Sequence, residues 1–116
     1  MDRSCYFYFL PSLNLIMPFN TRLTELIPGL VHPVVMGGMT LNGGVEFAAA
    51  VTNAGALGCY AIMNSGTPEQ ARKDIRRLKE LTNGKPFSLN HTILPSFRAL
   101  PHDAMAQVII EEMSDS

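Results

Sequence analysis

The chain has 116 residues, and nine Lys or Arg against ten Asp or Glu leave a formal net charge of -1, with a sequence pI near 6.3. That balance argues against a nucleic-acid binder driven by bulk positive charge. With 47% hydrophobic and 16% charged residues the composition is too apolar for intrinsic disorder, and no apolar run reaches the roughly 20 residues of a membrane-spanning helix. One soluble globular domain at most is expected.

Two cysteines, Cys5 and Cys59, make neither a disulfide framework nor a structural zinc set, and they point to a reducing, cytoplasmic setting. The three histidines, His32, His91 and His102, are scattered without the spacing that puts two ligands on one helical face, so each is expected to be structural or solvent-facing, and no metal site is expected.

Residues 1–16 read as an atypical extension. Tyr6, Phe7, Tyr8 and Phe9 are clustered there, and Pro11 and Asn14 interrupt the apolar stretch that a secretory signal would need. The foldable chain, 17–116, then begins at Met17. Asn20 to Ile27 predicts a short helix with Leu23, Leu26 and Ile27 on one face, ended by Pro28-Gly29. Val34-Val35-Met36 predicts a buried strand entering the turn Gly37-Gly38. Val45 to Ala54, small and apolar nearly all round, predicts a helix buried against a sheet and closed by Gly55. Leu57 to Ile62 predicts a second buried strand.

Thr67-Pro68-Glu69-Gln70 carries a helix start: an N-cap hydroxyl, proline at the first helical position and a glutamine that completes a capping box. Ala71, Ile75, Leu78 and Thr82 form one stripe of the helix that follows. Its basic residues read as a solvated face, partly paired as Glu69 with Lys73 and Arg76 with Glu80. Asn83-Gly84 ends it, Phe87 to Asn90 predicts a third strand, and Asp103 to Met113 a last helix.

Strands alternating with helices imply parallel pairing with right-handed crossovers. The fold class expected is α/β, a partial TIM-type (β/α) barrel of about three βα units behind a short N-terminal helix. In such a barrel the C-terminal ends of the strands carry function, and Gly37-Gly38-Met39 and Asn90 stand at two of them. No Ser-His-Asp set, nucleophile elbow, P-loop or GxGxxG is present. The glycines of Asn53 to Gly58 follow a helix and precede a strand, the reverse of a dinucleotide loop, and read as capping and close packing.

Five blocks in order carry a resemblance: Phe19 to Leu26, His32 to Met39, Ala48 to Gly58, Thr67 to Gln70 and Lys85 to Asn90. Together, over about residues 17 to 95, they resemble the start of a nitronate monooxygenase, the family formerly called 2-nitropropane dioxygenase. The resemblance implies a barrel enzyme that uses FMN and O2 to oxidise alkyl nitronates to carbonyl compounds and nitrite. By position it gives Gly37, Gly38, Met39 and Asn90 contacts with the flavin. It places the catalytic base, a histidine, on a later strand and the phosphate loops on the last strands, so no catalytic residue is assigned to this chain. A relative of the flavin-dependent enoyl-acyl-carrier-protein reductases, or a non-catalytic interaction module, are the alternatives.

Overall fold

The computed structural model describes residues 19–93 and 100–114, so the extension read at 1–16 lies outside the described residues. The elements are α1 (Arg22–Leu26), α2 (Val45–Asn53), β1 (Gly58–Ala61), a 3-10 turn (Ile62–Ser65), α3 (Pro68–Thr82), β2 (Phe87–Asn90) and α4 (His102–Ser114). β1 and β2 pair in parallel, from Gly58 against Phe87 to Ala61 against Asn90. The architecture is therefore α/β, with α3 as the crossover between two parallel strands. No helix among the described residues is long and apolar enough to cross a membrane.

β1 is central because every one of its residues is buried. Gly58 and Tyr60 face the helices. A Cβ on Gly58 would collide with the Ala48 carbonyl oxygen and Thr52 Oγ1, and the Gly58 N–H donates to that hydroxyl at 3.2 Å. The glycine thus lets α2 lie directly on the strand, as its reading as a close-packing residue requires. The core joins Val45, Ala48 and Ala49 of α2, Tyr60, Ile62, the α3 stripe and Met105 and Val108 of α4. Ala71, Ile75 and Leu78 are completely buried, and so is Thr82, whose hydroxyl donates to the Leu78 carbonyl. The helix ends as its sequence specifies, with Asn83 left-handed at φ 50° and Gly84 at φ 79°.

Several expectations are corrected. The first strand is reduced to a single parallel bridge, Val35 against Leu57, secured by Met36 N–H to Leu57 O and Leu57 N–H to Val34 O, both 2.9 Å. Val34 and Val35 are 56% and 53% exposed rather than buried. The segment has one strand neighbour, Pro33 contributes no donor, and Gly37-Gly38 ends it after three residues. α1 is five residues long and buries none of them, Leu26 being 63% exposed. Its capping box is made by Thr21 and Thr24.

At α3 only half of the expected box forms. Thr67 Oγ1 accepts from the Gln70 N–H, but the Gln70 side chain turns forward to Asp74 Oδ1 at 2.8 Å. α2 buries one face and leaves Phe47 47% exposed. The basic face of α3 is not simply solvated, and neither expected intrahelical pair forms among the described residues. Arg72 and Arg76 instead grip Glu112 of α4, at 2.8 and 2.9 Å. Arg72 also binds Glu111, and the Lys79 ammonium donates to the Glu112 carbonyl. Glu112 is 7% exposed, so this cluster is the polar half of the α3–α4 interface. Arg76 holds the Glu112 carboxyl below the usual carboxylate range, against the opposing effect of burial and with Arg72 adding to the pull.

Candidate functional site

Parallel strands bring their C-terminal ends to one side, and three segments meet there: the turn after the bridged Val35, the 3-10 turn after β1, and the end of β2. Glycine is required at the meeting point. A Cβ on Gly38 would lie 2.8 Å from both Cβ and Cγ of Asn90, so the turn passes over the end of β1 and rests on the Asn90 side chain. Asn90 Oδ1 accepts from Thr92 Oγ1 at 2.7 Å, which orients the amide. Gly37 differs, because a Cβ there would meet no atom within 4 Å.

Gly37, Gly38, Met39 and Asn90 are all exposed, and the structure brings the four into one patch. Among the described residues, the N–H groups of Gly37, Gly38 and Met39 have no acceptor in the protein. The patch therefore presents backbone donors and a carboxamide without any formal charge, which suits a planar, polar-edged ligand.

Sequence reasoning missed the residue that holds this turn in place. Asn64, on the 3-10 turn, donates from Nδ2 to the carbonyls of Met39 (3.0 Å) and Gly43 (3.1 Å) and accepts from the Leu41 N–H at 3.0 Å. These bonds close the loop over residues 39–43, in which Leu41 has φ 72° and is 92% exposed. A left-handed leucine costs on the order of 1 kcal/mol, which the clamp offsets. The available signal was an asparagine just beyond a buried strand, where side chains of a parallel sheet reach neighbouring loops.

Ser65, which follows Asn64, is held from α3. Asp74 Oδ2 accepts from Ser65 Oγ at 2.6 Å and from Tyr60 Oη at 2.8 Å. Tyr60 and Ser65 lie within 3.0 Å of each other, and Asp74 Oδ1 is taken by Gln70. Burial pushes the Tyr60 phenol up to about 12, with Asp74 reinforcing the shift and the Ser65 bond opposing it. The phenol is a structural donor at neutral pH.

The remaining sequence candidates fall elsewhere. Cys59 is buried in β1 as expected. His32 packs by Gly55, near its turn at φ 94°. His91 and His102, scattered in the sequence, come together with ring centroids 5.4 Å apart. An apolar hollow of about 580 Å³, lined by Lys79, Thr82, Gly84, Lys85, Pro86, Phe87 and Met113, opens at the other end of β2 from Asn90. No group of three or more His, Cys, Asp or Glu among the described residues could hold a metal.

A glycine turn and a carboxamide thus meet at the strand ends of a parallel α/β scaffold. Comparison with known proteins narrows this. The family model described as nitronate monooxygenase matches residues 20–114, and the chain belongs to that family. It is 42% identical over 74 residues to a Mycobacterium tuberculosis H37Rv protein named (3aS,4S,5R,7aS)-5-hydroxy-7a-methyl-1-oxo-octahydro-1H-indene-4-carboxyl-CoA dehydrogenase, covering 64% of this chain and 20% of that one. A Rhodococcus jostii RHA1 protein of the same name is 41% identical over 70 residues, covering 60% of this chain and 19% of the relative. A Pseudomonas aeruginosa PAO1 protein named nitronate monooxygenase is 41% identical over 69 residues, again 60% of this chain and 19% of that protein. The chain thus spans about a fifth of the length of these curated relatives.

Proposed function

We propose that residues 17–116 supply the opening βα units of an FMN-dependent (β/α) barrel oxidoreductase, acting in the cytoplasm, that oxidises alkyl nitronates with O2 to carbonyl compounds and nitrite. The observation that supports this reading is the contact of Gly38 with Asn90: the two residues to which the family resemblance gives flavin contacts lie on one exposed patch. Bound FMN would supply the electron transfer between substrate and oxygen. In this chain Gly37, Gly38 and Met39 would offer backbone N–H groups to the flavin, Asn90 would offer its carboxamide, and Asn64 would hold the turn in register. The proton-abstracting histidine and the phosphate loops belong, by the family pattern, to later strands. By the same reading residues 17–116 alone bind FMN weakly or not at all.

The test is a chimera in which residues 20–93 replace the matched segment of the Pseudomonas aeruginosa relative. Stoichiometric yellow flavin after gel filtration, with nitrite formed from an alkyl nitronate, is the expected result. A folded chimera without flavin would overturn the cofactor reading. Flavin without nitrite would overturn the nitronate reading and favour a dehydrogenase role of the kind for which the other relatives are named.

A further inference from the structure

We propose that His91 and His102 form a two-imidazole site for a divalent transition-metal ion of the zinc class, separate from the flavin patch and independent of that reading. His91 directly follows Asn90 at the end of β2, and His102 opens α4. The His91 ring lies against that of His102 at the start of the helix. The two rings meet edge to face, with an interplanar angle of 67° and centroids 5.4 Å apart.

Among the described residues, three of their nitrogens, His91 Nδ1, His91 Nε2 and His102 Nδ1, are shut off from solvent without a hydrogen-bond partner. Leaving a buried polar atom unpaired costs about 1–3 kcal/mol, so three in one place call for an explanation. Imidazole lone pairs are the commonest protein ligands for borderline divalent metals, and one ion would take a lone pair from each ring. The separation suits it: rings that share a tetrahedral ion, with metal–nitrogen distances of about 2.1 Å, have centroids roughly 5 Å apart. No third His, Cys, Asp or Glu joins the pair among the described residues, so water or a small anion would complete the coordination. Such an ion would tie the first turn of α4 to the end of β2, one residue from Asn90. It would have the bracing role of a structural metal rather than a catalytic one.

The experiment is a ZnCl2 titration of the full 116-residue chain, stripped with a chelator beforehand, against a competing chromophoric chelator. One zinc per chain is expected, with affinity lowered at least about tenfold by His91→Gln or His102→Gln and unchanged by His32→Gln. No binding at millimolar zinc, or variants of wild-type circular dichroism that bind as tightly, would overturn the site. If either variant does not fold, the wild-type chain decides by the imidazole NMR signals recorded with and without zinc. Signals of His91 and His102 that shift with zinc while those of His32 do not support the proposal, and signals of His91 and His102 unchanged at saturating zinc overturn it.

Discussion

Gly38 and Asn90 touch across the end of β1, so closely that no side chain fits at residue 38: a Cβ would stand 2.8 Å from two carbons of Asn90. Gly37, its neighbour, faces open space. Two glycines adjacent in sequence therefore have different reasons to be glycine, and mutation separates them. Gly38→Ala forces either the turn or Asn90 to move and is expected to cost about 1–2 kcal/mol, read as a lower midpoint in thermal or denaturant unfolding. Gly38→Val in the chimera should strip flavin as well. Gly37→Ala should leave stability within about 0.5 kcal/mol while still lowering flavin content, because its new methyl group meets only the ligand. Full flavin content in both variants would mean that the turn is structural alone.

Asn64 makes three hydrogen bonds to one loop, and all three vanish in Asn64→Ala. The loop is exposed and contributes little to the core, so global stability should fall by no more than about 1–2 kcal/mol. Hydrogen exchange at the Leu41 amide should accelerate sharply, since its acceptor is gone. Asn64→Asp should restore only the Leu41 bond, because a carboxylate cannot donate to the Met39 and Gly43 carbonyls. Unchanged Leu41 exchange in Asn64→Ala would remove the clamp from the account.

The α3–α4 interface should be acid-labile. Glu111 and Glu112 are both held below the usual carboxylate range, Glu111 by Arg72 and Gln107, Glu112 by Arg76 and Arg72. A carboxylate with a depressed folded pKa contributes stability that is present above the unfolded pKa and lost as pH falls through the folded one. Stability should thus be flat near neutrality and decline below about pH 4.5. Glu112→Gln should flatten that decline and lower neutral stability by about 1–2 kcal/mol, a modest figure because Arg76 is 61% exposed and returns to water. An acid limb of unaltered steepness in this variant would assign the decline to other carboxylates.

Tyr60 gives the opposite sign at high pH. Its phenol titrates near 12 in the fold against about 10 in an unfolded chain. Its contribution is complete below pH 10 and is lost as pH rises through the folded value. Alkaline unfolding between pH 10 and 12 should therefore be less steep in Tyr60→Phe. At pH 7 that variant should lose about 1 kcal/mol, since Asp74 keeps Ser65 and Gln70 as donors. Parallel alkaline limbs in the two proteins would show that other groups govern the transition.

Local chemistry made much of this molecule legible before any coordinates. The period of Ala71, Ile75, Leu78 and Thr82, the Thr67-Pro68 start and the Asn83-Gly84 stop define α3 because caps, proline and a 3.6-residue stripe act within a few residues of one another. β1 and β2 were legible for the same reason, and so was the α/β class that follows from their order. The errors arose where a partner distant in sequence decided the outcome. Val34 to Met36 has strand composition, yet a strand exists only as far as its neighbours pair with it, and here that is one bridge to Leu57. Gln70 had a backbone N–H within reach and took Asp74 instead. Arg72 and Arg76 had acidic neighbours on their own helix, but Glu112, 36 residues beyond Arg76, offered a buried, bidentate site.

The candidate site divides in the same way. That Gly37, Gly38 and Asn90 stand on one side of the sheet could be read from the chain, since strand ends in a parallel sheet share one side. That Gly38 rests on Asn90, that Asn64 bolts the turn from 25 residues beyond Met39, and that His91 meets His102 belong to the tertiary structure. These contacts depend on how helices crossing a sheet bring separate strand ends within a few ångströms, a distance that no local periodicity encodes.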